Sequence, residues 1–147
     1  MLTQAVGALG LPDYNDGARV DTYGFTDTTL SDRVEYGLHA VALDEQRIDF
    51  TPTLWTDWNE SSTTVKQMLF AGAHSDVGGG YPTPGNESGL SDIALKWMVD
   101  ELAEIGVTFA DPVYSPFAPD PLGVAHKPWL KPPFLGPGRS SPRKLRD

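Results

Sequence analysis

Residues 65–82, VKQMLFAGAHSDVGGGYP, decide the fold of this chain. The apolar run of residues 68–71 is short, with polar residues before it and glycines after it. It predicts a strand over 65–73 that is buried on both faces of a parallel sheet. His74 then follows the carboxyl end of a strand, where ligands and chemistry collect in α/β sheets.

Helices are predicted on both sides of this strand. Downstream, Ser91 is a suitable N-cap and Gly106 a suitable C-cap. Between them the helical period is kept by Ala94, Trp97, Met98, Glu101, Leu102 and Ile105. Upstream, Ser31 is a candidate N-cap in residues 29–45, TLSDRVEYGLHAVALDE. We expect His39 to be partly exposed in this segment. A helix there is predicted by the spacing of Val34, Leu38, Val41 and Ala42.

The order helix, connector, strand, glycine loop, helix predicts an α/β layered fold. A further short strand is expected at 107–109. With 147 residues and 39% hydrophobic composition, the chain can form one small domain or part of a larger one.

Composition excludes several classes of protein. The formal charge of −9 argues against a nucleic-acid binder, because phosphate neutralisation needs clustered Lys and Arg. The absence of cysteine excludes disulfides and thiolate zinc sites. No 18-residue apolar run and no signal-like amino terminus occur, so we expect no transmembrane segment and a protein made in the cytoplasm without a signal peptide.

A compositional boundary lies near residue 110. Residues 1–110 carry 5 basic and 17 acidic side chains, whereas residues 111–147 carry 6 basic and 3 acidic ones and 9 of the 13 prolines. Proline excludes regular helix and weakens strand pairing. We therefore divide the chain into a domain portion, 1–110, and a partly disordered proline-rich tail, 111–147. We expect most residues beyond Gly136 to be disordered and dispensable.

Several functional hypotheses fit the loop HSDVGGGY. A phosphate cradle is weakly supported, because neither GxGxxG nor GxxxxGK[ST] is present. In a metal site, His74 and Asp76 would need further ligands from residues such as Asp44, Glu45 or His39. In a Ser-Asp-His hydrolase, His74 would be the general base on a rigid loop, as the glycines allow. Spacing alone supports a general base at position 74 about as well as the alternative, in which His74 only satisfies hydrogen bonds within the turn.

Three motifs resemble a known family. AGAHSDVGGGY, HAVALDEQRIDFTPTLW and LSDIALKWMVDEL are similar, in order, to the C-terminal part of the catalytic domain of type VI secretion phospholipase effectors of the first lipase-effector class. Related members form an uncharacterised bacterial and fungal group of α/β-hydrolases. The resemblance runs from about residue 5 to residue 109. It implies a partial α/β-hydrolase fold, the C-terminal portion of a parallel sheet with flanking helices, followed by an irregular tail.

The same resemblance implies a lipid or ester substrate, no cofactor and no metal, with His74 as the catalytic residue. We expect loop-shaping roles for Asp76, Gly78, Gly79 and Gly80. Asp76 is too close to His74 along the chain to reach the imidazole in line as the triad acid. For the parent protein, contact with a membrane surface and export are open expectations.

The chain departs from the family at two triad positions. No serine has glycine at both minus two and plus two, and Gln4 stands where the resemblance places the triad aspartate. Glutamine cannot stabilise an imidazolium as a carboxylate does. We therefore expect a truncated chain, inactive alone, because Met1 falls inside a motif. The alternative is a non-catalytic acidic α/β fragment that acts as an interaction module, with a protein partner completing its sheet.

Overall fold

The described part of the chain is built on a two-stranded parallel sheet. The computed structural model describes residues 28–110, 117–135 and 140–142. Strand β1, Tyr36–Ala42, pairs with strand β2, Thr64–Phe70, in register from Tyr36 opposite Thr64 to Ala42 opposite Phe70. Helix α1, His74–Gly78, and helix α2, Gly89–Glu104, follow. Short 3₁₀ turns occur at Ile48–Phe50, Pro84–Asn86 and Pro128–Leu130.

One face of the sheet packs against the helices. Alternate residues of β1 point to this face and meet Val77 of α1 and one side of α2. Phe70 of β2 packs on Trp97 of α2, with ring centroids 5.4 Å apart. This core is formed by Leu38, Ala40, Ala42, Val77, Ala94, Met98 and Leu102. The apolar side of α2 therefore packs mainly on β1, and β2 adds Phe70.

The opposite face of the sheet is covered by the connector between the strands. The Gln67 side chain accepts a hydrogen bond from the Trp55 N–H at 2.9 Å and donates one to the Trp55 carbonyl at 2.9 Å, so it clips the connector to β2. His39 of β1 lies beneath the Trp55 ring, with centroids 5.3 Å apart. Its Nδ1 is 3.3 Å from Gln67 Oε1.

His39 is only 1% exposed, so the prediction of a partly exposed histidine was wrong. Burial lowers its pKa, against an opposing effect of the Gln67 hydrogen bond, because imidazolium is poorly solvated inside a protein.

The predicted upstream helix is also wrong, because residues 36–42 form β1. A parallel strand buried on both faces has no polar alternation, so the run LHAVA fits a helical stripe as well as a strand. Gly37 disfavours a helix, but the segment contains no proline that would have excluded one. Ser31 lies in a turn before β1, where its hydroxyl accepts the Arg33 N–H at 3.3 Å instead of capping a helix.

The predicted strand at 65–73 is confirmed as a parallel strand, although its burial was predicted wrongly. Within the described residues β2 pairs with β1 alone, and Met68 and Leu69 are each 45% exposed. The buried strand is β1, in which every residue except Tyr36 is buried. The expected strand at 107–109 does not form, and Val107 and Phe109 are exposed there.

Helix α2 confirms the most regular sequence pattern. It begins earlier than predicted, with Ser88 as N-cap, while the Ser91 hydroxyl donates to the Ser88 carbonyl at 2.9 Å. Its end agrees with the sequence. Gly106 has φ of +88°, its N–H bonds to the Ala103 carbonyl at 3.0 Å, and the Val107 N–H bonds to the Leu102 carbonyl at 2.9 Å. Glycine is favoured at such a left-handed helix end.

Parts of the segment assigned as a tail pack on the domain portion. Trp129 is buried, and the Ser141 N–H donates to the Gln46 carbonyl at 2.8 Å. Residues 140–142 are thus docked, whereas 136–139 and 143–147 lie outside the described residues. Disorder of those remaining residues stays a prediction.

Truncating Leu38 tests the helix-facing core. Leu38 is 3% exposed, so we expect Leu38→Ala to lower the free energy of unfolding by about 2–5 kcal/mol through lost burial and a cavity. Urea unfolding of the purified chain measures this loss. The control is Leu122→Ala at an 87% exposed position, which should change stability by less than about 0.5 kcal/mol. Equal effects of the two substitutions would contradict the described core.

Candidate active site

A cleft of about 570 Å³ opens between α1, the glycine turn and α2. Ala40 of β1 contributes to its lining, and Leu95 and Met98 of α2 provide apolar surface. Thr83, Ser88, Ser91 and Asp92 add polar groups. His74 and Phe117 also line it. The size and the mixed lining are those of a small-molecule site.

His74 lies where the sequence predicts, just beyond the end of β2, but it is the first residue of α1 and not part of a loop. Its backbone N–H donates to Glu45 Oε2 at 3.0 Å. Its half-buried ring meets the Phe50 ring edge-on, with centroids 5.0 Å apart. The backbone of His74 is therefore held by Glu45, and its imidazole has an aromatic neighbour.

Glu45 is buried beside His74 and is bound by Arg47. The Arg47 Nε and terminal nitrogen donate to the two Glu45 oxygens at 2.9 and 2.7 Å, and the Arg47 N–H donates at 2.8 Å. Burial acts to raise the pKa of Glu45, but the hydrogen bonds from Arg47 and His74 and the Arg47 charge outweigh it and lower the pKa. The guanidinium also lies over Phe50, 3.6 Å from its ring centre.

Asp76 shapes the start of α1. Its Oδ2 accepts the Ala73 N–H at 2.8 Å, the capping-box bond from the third helical position. The same oxygen accepts the His126 N–H at 3.0 Å, and Oδ1 lies 2.5 Å from His126 Nδ1. Asp76 is thus committed to backbone caps and to His126.

The glycines around α1 allow two close turns. At Gly72, φ is +102° and a Cβ would lie 2.4 Å from Cβ of Asp76, so only glycine allows this approach. Gly79 and Gly80 have φ of +84° and +122° after Gly78 ends α1. Tyr81 follows, and burial together with the Asp76 charge raises the pKa of its hydroxyl.

The residues considered for metal binding do not converge. Asp44 Oδ2 accepts the Gly72 N–H at 2.7 Å, while His39 belongs to the face of the sheet covered by Trp55. In residues 28–110, 117–135 and 140–142, no group of three or more His, Cys, Asp or Glu side chains is arranged to hold a metal ion. Gln4 lies outside the described residues.

Sequence reasoning missed two contributions from beyond residue 110, Phe117 in the cleft lining and His126 against Asp76. Asp76 and His126 are separated by 50 residues, and no local spacing signals such a pair.

Comparison with known proteins identifies the family of the chain. Residues 3–101 match the family model described as "T6SS, Phospholipase effector Tle1-like, catalytic domain". The match includes β1, β2, α1 and most of α2. The chain therefore belongs to the Tle1-like family of type VI secretion phospholipase effector catalytic domains, as the sequence resemblance predicted.

A yeast protein is also similar. The chain is 36% identical over 73 residues to the uncharacterized protein YEL023C of Saccharomyces cerevisiae. The matched region is 49% of this chain and 9% of that protein, so the chain spans a small part of this relative. No solved structure matches the chain. Within the described residues, none of the helices is long and apolar enough to cross a membrane.

The substitution Glu45→Gln tests the contacts of Glu45 with Arg47 and with the His74 backbone. At neutral pH we expect Glu45→Gln to cost about 3–5 kcal/mol of unfolding free energy, because buried Arg47 loses its ionic partner. The folded pKa of Glu45 is lowered, so its ionisation stabilises the protein above the unfolded value near 4.5 and this contribution is lost as pH falls through the folded pKa.

The stability gap between the wild type and Glu45→Gln should therefore shrink below pH 4.5. Denaturant unfolding at pH 7 and at several acidic values measures this gap. Exposed Glu60 provides the control, since Glu60→Gln should have little effect. A gap that widens on acidification would contradict the assigned contacts.

Proposed function

We propose that this chain carries the general base, His74, of a serine ester hydrolase that acts on phospholipid-like substrates. The observation that supports this most is the position of His74, which follows a parallel strand and lines the cleft inside the family-matched residues. In such a reaction the imidazole takes the proton of a serine hydroxyl as it attacks the ester carbonyl. It then returns the proton to the leaving alcohol.

The lining of the cleft suits a lipid ester. Val77, Leu95, Met98 and Phe117 present apolar surface that an acyl chain can cover. Buried contacts of this kind gain roughly 25 cal/mol per Å² of apolar area. Exposed Thr83 leaves a polar group for the ester or headgroup. The parent fold that this arrangement supports is an α/β-hydrolase, of which β1, β2, α1 and α2 would be a portion.

The nucleophile and the triad acid are not supplied by recognisable motifs of this sequence. The two serines that line the cleft are engaged otherwise, since the Ser88 hydroxyl bonds Asp92 at 3.1 Å and the Ser91 hydroxyl bonds the Ser88 carbonyl. Neither Glu45 nor Asp76 replaces the triad acid, because their carboxylates bind Arg47, His126 and backbone N–H groups. We therefore infer that the 147-residue chain alone has no ester hydrolase activity.

A second candidate function is that of an interaction module. It is favoured by the free side of β2, where Met68 and Leu69 are half exposed and no strand of the described residues pairs. Such an edge can accept a strand from another chain. This candidate predicts a complex that survives His74→Ala, since His74 lies past the end of β2.

The catalytic proposal is tested by His74→Ala in a reconstructed protein. There the chain would carry Gln4→Asp and follow a segment with a GxSxG serine. We expect turnover of a phosphatidylcholine substrate to fall by about 10⁴–10⁶, the scale of losing a triad histidine. Ser75→Ala is the matched control, since it alters the next residue of the same helix and should leave turnover nearly unchanged.

The purified 147-residue chain is assayed in parallel and should show no hydrolysis. Unaltered turnover in the His74→Ala protein, or hydrolysis by the chain alone that survives this substitution, would overturn the proposed role of His74.

A further inference from the structure

We propose that His126 is a positioning residue that fixes the glycine turn beside His74 and makes residues 117–126 a wall of the cleft. This segment lies outside the family-matched residues 3–101. The proposal rests on the proposed function only in taking the cleft as the substrate site.

His126 contacts the site in three ways. Its Nδ1 lies 2.5 Å from Asp76 Oδ1, and its backbone N–H donates to Asp76 Oδ2 at 3.0 Å. Its imidazole stacks on the ring of Tyr81, with centroids 3.5 Å apart and planes 11° from parallel. The Asp76 side chain is fully buried and the His126 side chain is 14% exposed, so water competes little for these contacts.

These contacts hold both ends of one segment. Asp76 caps the Ala73 N–H, which directly precedes His74, while Tyr81 lines the cleft after the glycines. Between them, Gly79 and Gly80 have no atom within 4 Å of where a Cβ would lie. The turn therefore has open space beside these glycines. The Gly79 N–H bonds the Ser75 carbonyl at 3.1 Å, and the two ends of the turn hold the rest of it. His126 touches the residue that fixes each end.

The rest of the segment is tied to the start of α2. The Ala118 N–H donates to Asp92 Oδ2 at 3.1 Å, and the Asp120 N–H donates to the Gly89 carbonyl at 3.1 Å. The Asn86 amide donates to Asp120 Oδ2 at 2.6 Å. Phe117, at the beginning of this segment, lines the cleft. Residues 117–126 are therefore bound to the domain portion and contribute Phe117 to the cleft.

A purely structural role makes a different prediction. If the pair of His126 and Asp76 only stabilised the whole fold, its loss would open every element together. A positioning role confines the effect to residues 77–81 and to the surroundings of His74. The two are separated by measuring local opening in the full 147-residue chain.

The test compares amide hydrogen exchange in the wild type, His126→Ala, His126→Asn and Leu122→Ala. In His126→Ala we expect the hydrogen-bonded amides among residues 77–81 to exchange about tenfold faster or more while β1 changes less than about twofold. His126→Asn keeps a donor near the Nδ1 position and should restore most of the protection. Leu122→Ala, at an exposed position of the same segment, should behave as the wild type.

Imidazole NMR of the same proteins gives a second readout. The wild type should show a protonated, strongly hydrogen-bonded Nδ1 for His126, and the ring resonances of His74 should shift in His126→Ala but return in His126→Asn. Failure of His126→Ala to fold, uniform acceleration of exchange, unchanged exchange at 77–81, lack of rescue by Asn, or a wild-type His126 without an Nδ1 proton would each overturn the proposal. None of these readouts requires ester turnover, so a negative result here is distinct from failure of the proposed reaction.

Discussion

Two buried carboxylates that accept consecutive backbone N–H groups hold His74 in place. Asp76 caps the N–H of Ala73 and Glu45 accepts the N–H of His74 itself. An unpaired buried carboxylate is costly, so each needs a compensating donor. Arg47 provides it for Glu45, and His126 provides it for Asp76. The position of the histidine therefore depends on contacts from the strand connector and from the segment beyond residue 110.

The sheet places these groups at one edge. Because β1 and β2 are parallel, the residues that follow each strand meet at the same side of the molecule. Asp44 and Glu45 follow β1, and Gly72 to His74 follow β2, so hydrogen bonds join the two strand ends directly. The core between β1 and α2 fixes the opposite wall of the cleft. The fold thus places a histidine, an apolar groove and a glycine turn at the same edge of the sheet.

Sequence patterns predicted the elements whose signals are local. The period of α2 and its terminal glycine identify a helix, and the short apolar run before the glycines identifies β2. Strand β1 was missed because full burial removes the alternation that distinguishes a strand from a helix. His74 and Asp76 could be singled out from their motif, whereas His126 and Phe117 could not, since proline-rich composition suggested a tail. Their roles arise from tertiary contacts that no spacing records.

We propose that the cleft beside His74 receives the apolar part of a phospholipid ester. It is tested most directly by NMR titration of the purified chain with a non-hydrolysable short-chain ether analogue of phosphatidylcholine, kept below its micelle concentration. We expect saturable shifts of the side-chain resonances of Val77, Leu95, Met98 and Phe117, together with the His74 imidazole. Shifts restricted to exposed apolar residues away from the cleft, such as Leu54 and Leu122, or no saturable shifts at all, would contradict it.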